Sequence, residues 1–237
     1  MAVLQLGDME VEVVQKDIKN VHLTVHPPDG KVRVSAPDHM TMETIRVFVI
    51  TKLGWIKRER KKLQAQARQT PREYLDRESH FVWGQRYLLK LVESDEPPVV
   101  QLEQKRLRLQ VRPGTDTAKR HALVERWYRQ QVMEAATGLV AKWEPRLGVS
   151  VSKLFVQRMK TKWGSCNPTA GNIRLNSQLG MTPRECLEYI VVHEMAHLLE
   201  PTHNTNFQRL LDQFLPNWRE VRDTLNQTPL AHAEWAG

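Results

Sequence analysis

His193-Glu194-Met195-Ala196-His197 lies inside an apolar run that a proline ends four residues later, and no other stretch limits the fold of this chain so tightly. Leu187, Tyr189, Ile190, Val191 and Val192 precede it and Leu198 and Leu199 follow, which describes a helix covered on most sides by protein. A helix turns by about 100° per residue, so His193 and His197 share a face and can offer ring nitrogens to a single cation. Pro201 has no backbone N–H and turns Glu200 away from helical geometry, so the helix is expected to stop near Leu199. Asn204 or Thr205 then caps a new helix from about Asn206, with Phe207, Leu210, Leu211 and Phe214 on one face, and His203 falls in the bend.

The chemistry of such a set is that of catalytic zinc, which takes three protein ligands and keeps one position open. His193, His197 and His203 are the expected ligands, with Glu220, on a last helix, as the alternative third donor. Zinc lowers the pKa of water, and Glu194 beside it is the expected general base. The expected reaction is hydrolysis, with an amide carbonyl favoured as the reacting centre.

Upstream, Lys162-Trp163-Gly164-Ser165-Cys166 leads through a turn-rich stretch to Asn172-Ile173-Arg174-Leu175-Asn176, which alternates like a strand, so a hairpin precedes the metal helix. Trp163 to Cys166 reads in two ways: as a cleft wall that aligns an extended substrate by strand addition, or as a core ring, a bend and a turn hydroxyl. Cys166 is either an extra metal ligand or a small buried residue.

Taken together, Lys162 to Cys166, Asn172 to Asn176, His193-Glu194-x-x-His197, His203 and Phe207 resemble a YgjP-like metallopeptidase domain, a bacterial family similar to the SprT-like and WLM zinc-peptidase domains. The resemblance is strongest over the last third of the chain. It implies a gluzincin-like core with His193, His197 and His203 as ligands, Glu194 as base, and the strand around Arg174 along the cleft. Metzincins share the histidine spacing but carry a glycine where this chain has Glu200 and a methionine turn downstream. No methionine follows Met195, which disfavours them.

The first half alternates in short stretches around Val11 to Val14, Val21 to Val25 and Val32 to Ser35, expected to pair antiparallel about a turn at Pro27-Pro28-Asp29-Gly30. A helical pattern follows from Met42 to Gln69, then strands near Phe81 to Val92, with a tight bend at Trp83-Gly84, and Val99 to Val111. A long helix from Ala118 to Lys142 should turn Leu123, Trp127, Val132, Ala135 and Leu139 inward, and Val149 to Val156 should be a strand. No internal repeat is evident. The expected class is α+β: an N-terminal antiparallel sheet-plus-helix module, 1–113, packed on a gluzincin-like zinc metallopeptidase core, 114–228, with a tail at 229–237.

With 237 residues, 41% of them hydrophobic, the chain can bury a sizeable core. Only Cys166 and Cys186 are present, so a disulfide framework is not expected and a reducing cytoplasm is the expected compartment. The start lacks the basic and apolar regions of a secretory signal, and no apolar run approaches membrane-spanning length. The net charge of +8 is concentrated at Lys52, Lys57, Arg58, Arg60, Lys61, Lys62, Arg68, Arg72 and Arg77, a face suited to phosphates. A polypeptide is the expected substrate and nucleic acid a candidate partner. Two alternatives stand beside the peptidase: hydrolysis of a nucleotide or other small phosphate substrate held by Arg158, Lys160, Lys162 and Arg174, and a nucleic-acid-binding protein whose zinc is structural.

Overall fold

The computed structural model of the chain describes residues 2–26, 30–65, 72–159 and 162–227. The side chains of Lys62 and Arg68, all of Lys160, the Pro27 to Asp29 turn and the 229–237 tail therefore lie outside the described part. The described residues before Gln69 form one compact unit and those after Thr70 another. The boundary expected at 113 and 114 falls within the second unit, where the long helix packs on the strands that precede it.

In the first unit, β1 (Ala2–Leu6) and β2 (Met9–Lys16) form a hairpin, as do β3 (His22–His26) and β4 (Lys31–Pro37). The hairpins join through parallel pairing of β2 with β4, giving the order β1-β2-β4-β3. Alternation buries Val11, Val13, Val32 and Val34 beneath Ile45 and Val49 of α1 (Met42–Thr51) and Ile56 of α2 (Leu53–Ala65). Each fully buried aliphatic side chain there contributes about 1.5–3 kcal/mol. The single helix expected over Met42 to Gln69 is broken at Lys52, where the Thr51 hydroxyl takes the Phe48 carbonyl at 2.7 Å.

The second unit opens with the same strand order. The hairpins β5 (Ser79–Val82) with β6 (Gln85–Glu93), and β7 (Val99–Glu103) with β8 (Arg106–Val111), join through parallel β6 and β8 as β5-β6-β8-β7. Two points of the sequence reading change here. Both four-stranded sheets are mixed rather than antiparallel, because the outer strand between each parallel pair carries the chain back. The repeat is one of strand order, with few residues in common.

Asp116 caps α3 (Thr117–Leu147), accepting from the Lys119 amide at 2.7 Å, and Gly148 ends it in the left-handed conformation. Its buried face is Val124, Tyr128, Val132, Ala136, Trp143 and Leu147, one step round from the face expected, with Val132 common to both. Tyr128 sets that rotation by donating its hydroxyl to the Phe81 carbonyl at 2.6 Å. A three-stranded sheet follows, β9 (Lys153–Gln157), β10 (Gly164–Asn167) and β11 (Asn172–Asn176), with β11 in the middle, antiparallel to β10 and parallel to β9. A short 3-10 turn, Ser177–Met181, leads into α4 (Arg184–Ala196), and α5 (Thr205–Phe214) and α6 (Trp218–Gln227) close the unit. No described helix is long and apolar enough to cross a membrane.

Candidate metal centre

α4 is buried almost throughout because its neighbours α3, α5, α6 and β10 cover it on several sides. His193 and Glu194 lie inside it, 1% and 2% exposed, and His197 sits at its C-terminal end. Beyond His197 the chain turns through Leu198, Leu199 and Glu200, whose amides return to the carbonyls of Met195 and Ala196 at 2.9–3.0 Å. Asn204 caps α5, its side-chain oxygen accepting from the amides of Asn206 and Phe207 at 2.9 and 3.0 Å. His203 is thereby carried back over α4. Its Nε2 lies 2.9 Å from His193 Nε2 and 3.0 Å from His197 Nε2.

A neutral ring nitrogen has one proton or one lone pair to give, so His203 Nε2 can pair with one of these neighbours but not with both. A single cation among three lone pairs resolves the conflict, and the donor set therefore fits a divalent metal. Ionisation states agree. Burial lowers the pKa of His193, with His197 and His203 adding to it; burial also lowers His197 against the opposing pull of Glu200, and lowers His203 with help from His197. Neutral imidazoles are the form that binds metal. His197 Nδ1 lies 3.1 Å from the Glu200 carbonyl, which orients the ring when Nδ1 carries the proton and leaves Nε2 its lone pair.

Among the described residues the group able to hold a metal is His193, His197 and His203; Glu220 is exposed on α6 and does not join it. Glu194, one residue round the helix, meets the backbone of β10: a Cβ on Gly164 would lie 2.5 Å from Glu194 Oε1. Burial pushes the Glu194 carboxyl up to about 8, with the Lys162 charge pulling the other way.

The strand nearest the carboxyl is thus β10, whereas the strand around Arg174, expected along the cleft, is the middle one. Arg174 lies over the Phe155 ring and Arg158 pairs with Glu125 at 3.1 Å, so two of the four cations expected to hold phosphate have protein partners; Lys162 is exposed and Lys160 lies outside the described residues. Trp163 is buried, in line with the core reading, and burial followed by the Glu194 charge raises the Cys166 thiol to about 11. Two residues at the centre have a closer part in it than the sequence assigns them, which is a bend for Gly164 and an apolar face and the family resemblance for Phe207. Gly164 left a signal, a glycine within a strand, which marks close backbone approach. Phe207 left its place in an apolar stripe and in the motif of the resemblance, neither of which shows that its ring meets all three histidines.

The family model that matches this chain is that of a metallopeptidase domain, and the match runs over residues 19–228. The chain belongs to that family, the YgjP-like metallopeptidases. Two solved structures are similar over part of it. One is the metallopeptidase zymogen abylysin of Pyrococcus abyssi, at 23% identity and TM-score 0.38, covering 42% of this chain and 99% of that one. The other is the zymogen jannalysin of Methanocaldococcus jannaschii, at 19% identity and TM-score 0.35, covering 42% and 97%. Comparison with curated proteins finds no match.

Proposed function

We propose that the chain is a zinc-dependent peptidase with a gluzincin-like core, in which His193, His197 and His203 hold the ion and Glu194 is the general base. The observation that carries this reading is the approach of two ring nitrogens, His193 Nε2 and His197 Nε2, within hydrogen-bond distance of His203 Nε2, with a buried carboxyl one residue from His193. Zinc held there would polarise a carbonyl and acidify water. Glu194 takes the proton as water attacks the peptide carbonyl and returns it to the leaving nitrogen. Burial raises the pKa of this carboxyl, and the charge of an ion held beside it would oppose that rise and favour the carboxylate that accepts the proton. β10 is the outermost strand of its sheet, and an extended polypeptide pairing along it would pass in front of Glu194.

Among the described residues three ligands gather, which supports a catalytic rather than a structural ion, since structural zinc is closed by four. The phosphate-hydrolase alternative loses support from the engagement of Arg158 and Arg174. A cytoplasmic peptidase acting on nucleic-acid-associated proteins is the further reading of the basic residues on α2, of which Lys57, Arg58 and Lys61 are exposed.

The test is metal analysis with an unfolded-protein substrate, on wild type, Glu194→Gln and His203→Ala. Glu194→Gln should keep zinc and lose about 10²–10⁴ in kcat, and His203→Ala should lose the metal. Zinc retained by His203→Ala but lost by Glu220→Ala would transfer the third ligand to Glu220, and release of phosphate from nucleotides with no proteolysis would replace the peptidase.

A further inference from the structure

Phe207 touches every ring of the triad. Its centroid lies 4.8 Å from that of His193, 4.6 Å from that of His197 and 4.8 Å from that of His203. The contacts differ in kind: the ring is near parallel to His197 at 27°, and near perpendicular to His193 at 70° and to His203 at 84°. One flat side chain therefore offers a face to one imidazole and meets the other two at a steep angle, arrangements that aromatic pairs prefer. Phe207 is itself 2% exposed, and its amide is held at 3.0 Å by the side-chain oxygen of Asn204, the residue that follows His203. The turn that delivers the third histidine is thus the turn that fixes the phenylalanine.

We propose that Phe207 is a positioning residue for the metal: it fixes the ring planes of His193, His197 and His203 so that their Nε2 atoms face a common point, and so sets how tightly the ion binds. This rests on the metal reading above. Each imidazole turns about two side-chain bonds, and an aliphatic residue of similar bulk would fill the space without a surface to hold three planes at three angles. Hydrogen-bond partners that orient metal ligands are worth roughly 10–100-fold in metal affinity, and a ring that fixes their planes by contact alone falls at the lower end of that range.

The experiment uses the full chain with Phe207→Leu. Zinc affinity is measured by chelator competition, the coordination geometry by the visible spectrum of the cobalt(II) form, and the fold by thermal unfolding of metal-free protein. The expected result is zinc binding weakened about tenfold or more, with cobalt bands shifted or broadened, in a variant that still folds without metal. A lower melting point with wild-type zinc affinity and a superimposable cobalt spectrum would overturn the proposal and leave Phe207 a core residue only. If Phe207→Leu does not fold, the same readouts on Phe207→Met, whose flexible thioether adapts to irregular space, decide between the same outcomes. Wild type that takes up neither zinc nor cobalt would instead refute the metal reading itself.

Discussion

The backbone of Gly164 on β10 lies so close to the side chain of Glu194 on α4 that an added Cβ would stand 2.5 Å from the carboxyl oxygen, 2.8 Å from Cγ and 2.9 Å from Cδ. The terminal oxygen of an exposed glutamate would swing aside, but this one is 2% exposed, and the clash reaches its Cγ and Cδ as well as its oxygen. Gly164→Ala should therefore displace the carboxyl without touching the histidines. The expected outcome is kcat reduced about 10²-fold, as for displacements of about 1 Å at a reacting group, with zinc content unchanged. Wild-type turnover in this variant would show that β10 gives way instead and that the carboxyl keeps its place.

Asn176, at the end of β11 and 3% exposed, holds the segment that leads into β10. Its Nδ2 donates to the carbonyls of Met159 at 3.0 Å and Lys162 at 2.8 Å, while its Oδ1 accepts from the Gln178 amide at 3.1 Å. Asn176→Ala leaves these groups without the partner they had, at a cost of about 1–3 kcal/mol for each one that stays buried. Thermal unfolding should shift down by several degrees, at roughly 2–4 °C per kcal/mol for a protein of this size. An unchanged melting point would show that water replaces the amide there.

The centre was legible in the sequence where local rules decide it. The spacing of His193 and His197 is a property of any helix, and Pro201 with Asn204 forces the bend that returns His203. What the sequence concealed depends on partners far along the chain. The closeness of Gly164 to Glu194 exists only once β10 has paired with β11 beside α4. The face of α3 is set by Tyr128 reaching Phe81, 47 residues away, which helical spacing alone does not reveal. Of the two hairpin turns within the stretches around Phe81 to Val92 and Val99 to Val111, the bend at Trp83-Gly84 is legible, whereas the one at Gln104 is not, because its φ near +50° is a conformation glutamine seldom adopts. The repeated strand order escaped notice for the same reason, since topology is kept with little shared sequence.

His80 gives a pH dependence separate from the metal. It is fully buried, with Nδ1 3.3 Å from Arg72 Nη1, Nε2 3.1 Å from Glu78 Oε1 and the Tyr74 ring at 5.6 Å. Burial, then the Arg72 charge, lowers its pKa from 6.5 to about 3, so these outweigh the carboxylate. The folded form holds His80 neutral while the unfolded chain takes a proton below 6.5. The stability from His80 is therefore complete above pH 6.5 and is lost as the pH falls from there toward 3, each unit being worth at most about 1.4 kcal/mol. In metal-free protein, His80→Gln should show a shallower loss of stability between pH 6.5 and 4.5 than wild type. Parallel curves would mean that His80 is protonated in the fold.

The basic residues of α2 lead to a prediction that separates a working surface from an ordinary solvated one. Ile56 faces the core of the first unit, which turns Lys57, Arg58 and Lys61 toward solvent, and Trp55 beside them is 37% exposed. If these cations meet phosphates, each contact releases counterions and adds about 0.9 to the slope of log affinity against log salt on duplex DNA. Replacing all three by alanine should then lower that slope by roughly 2.7, weaken binding alike for unrelated DNA sequences, and leave cleavage of an unfolded protein unchanged, since none of the three belongs to the metal centre. An affinity that ignores salt, or an identical slope in the triple variant, would remove nucleic acid as a partner of this helix. The peptidase reading would be untouched by that result, because it rests on the histidine triad and Glu194.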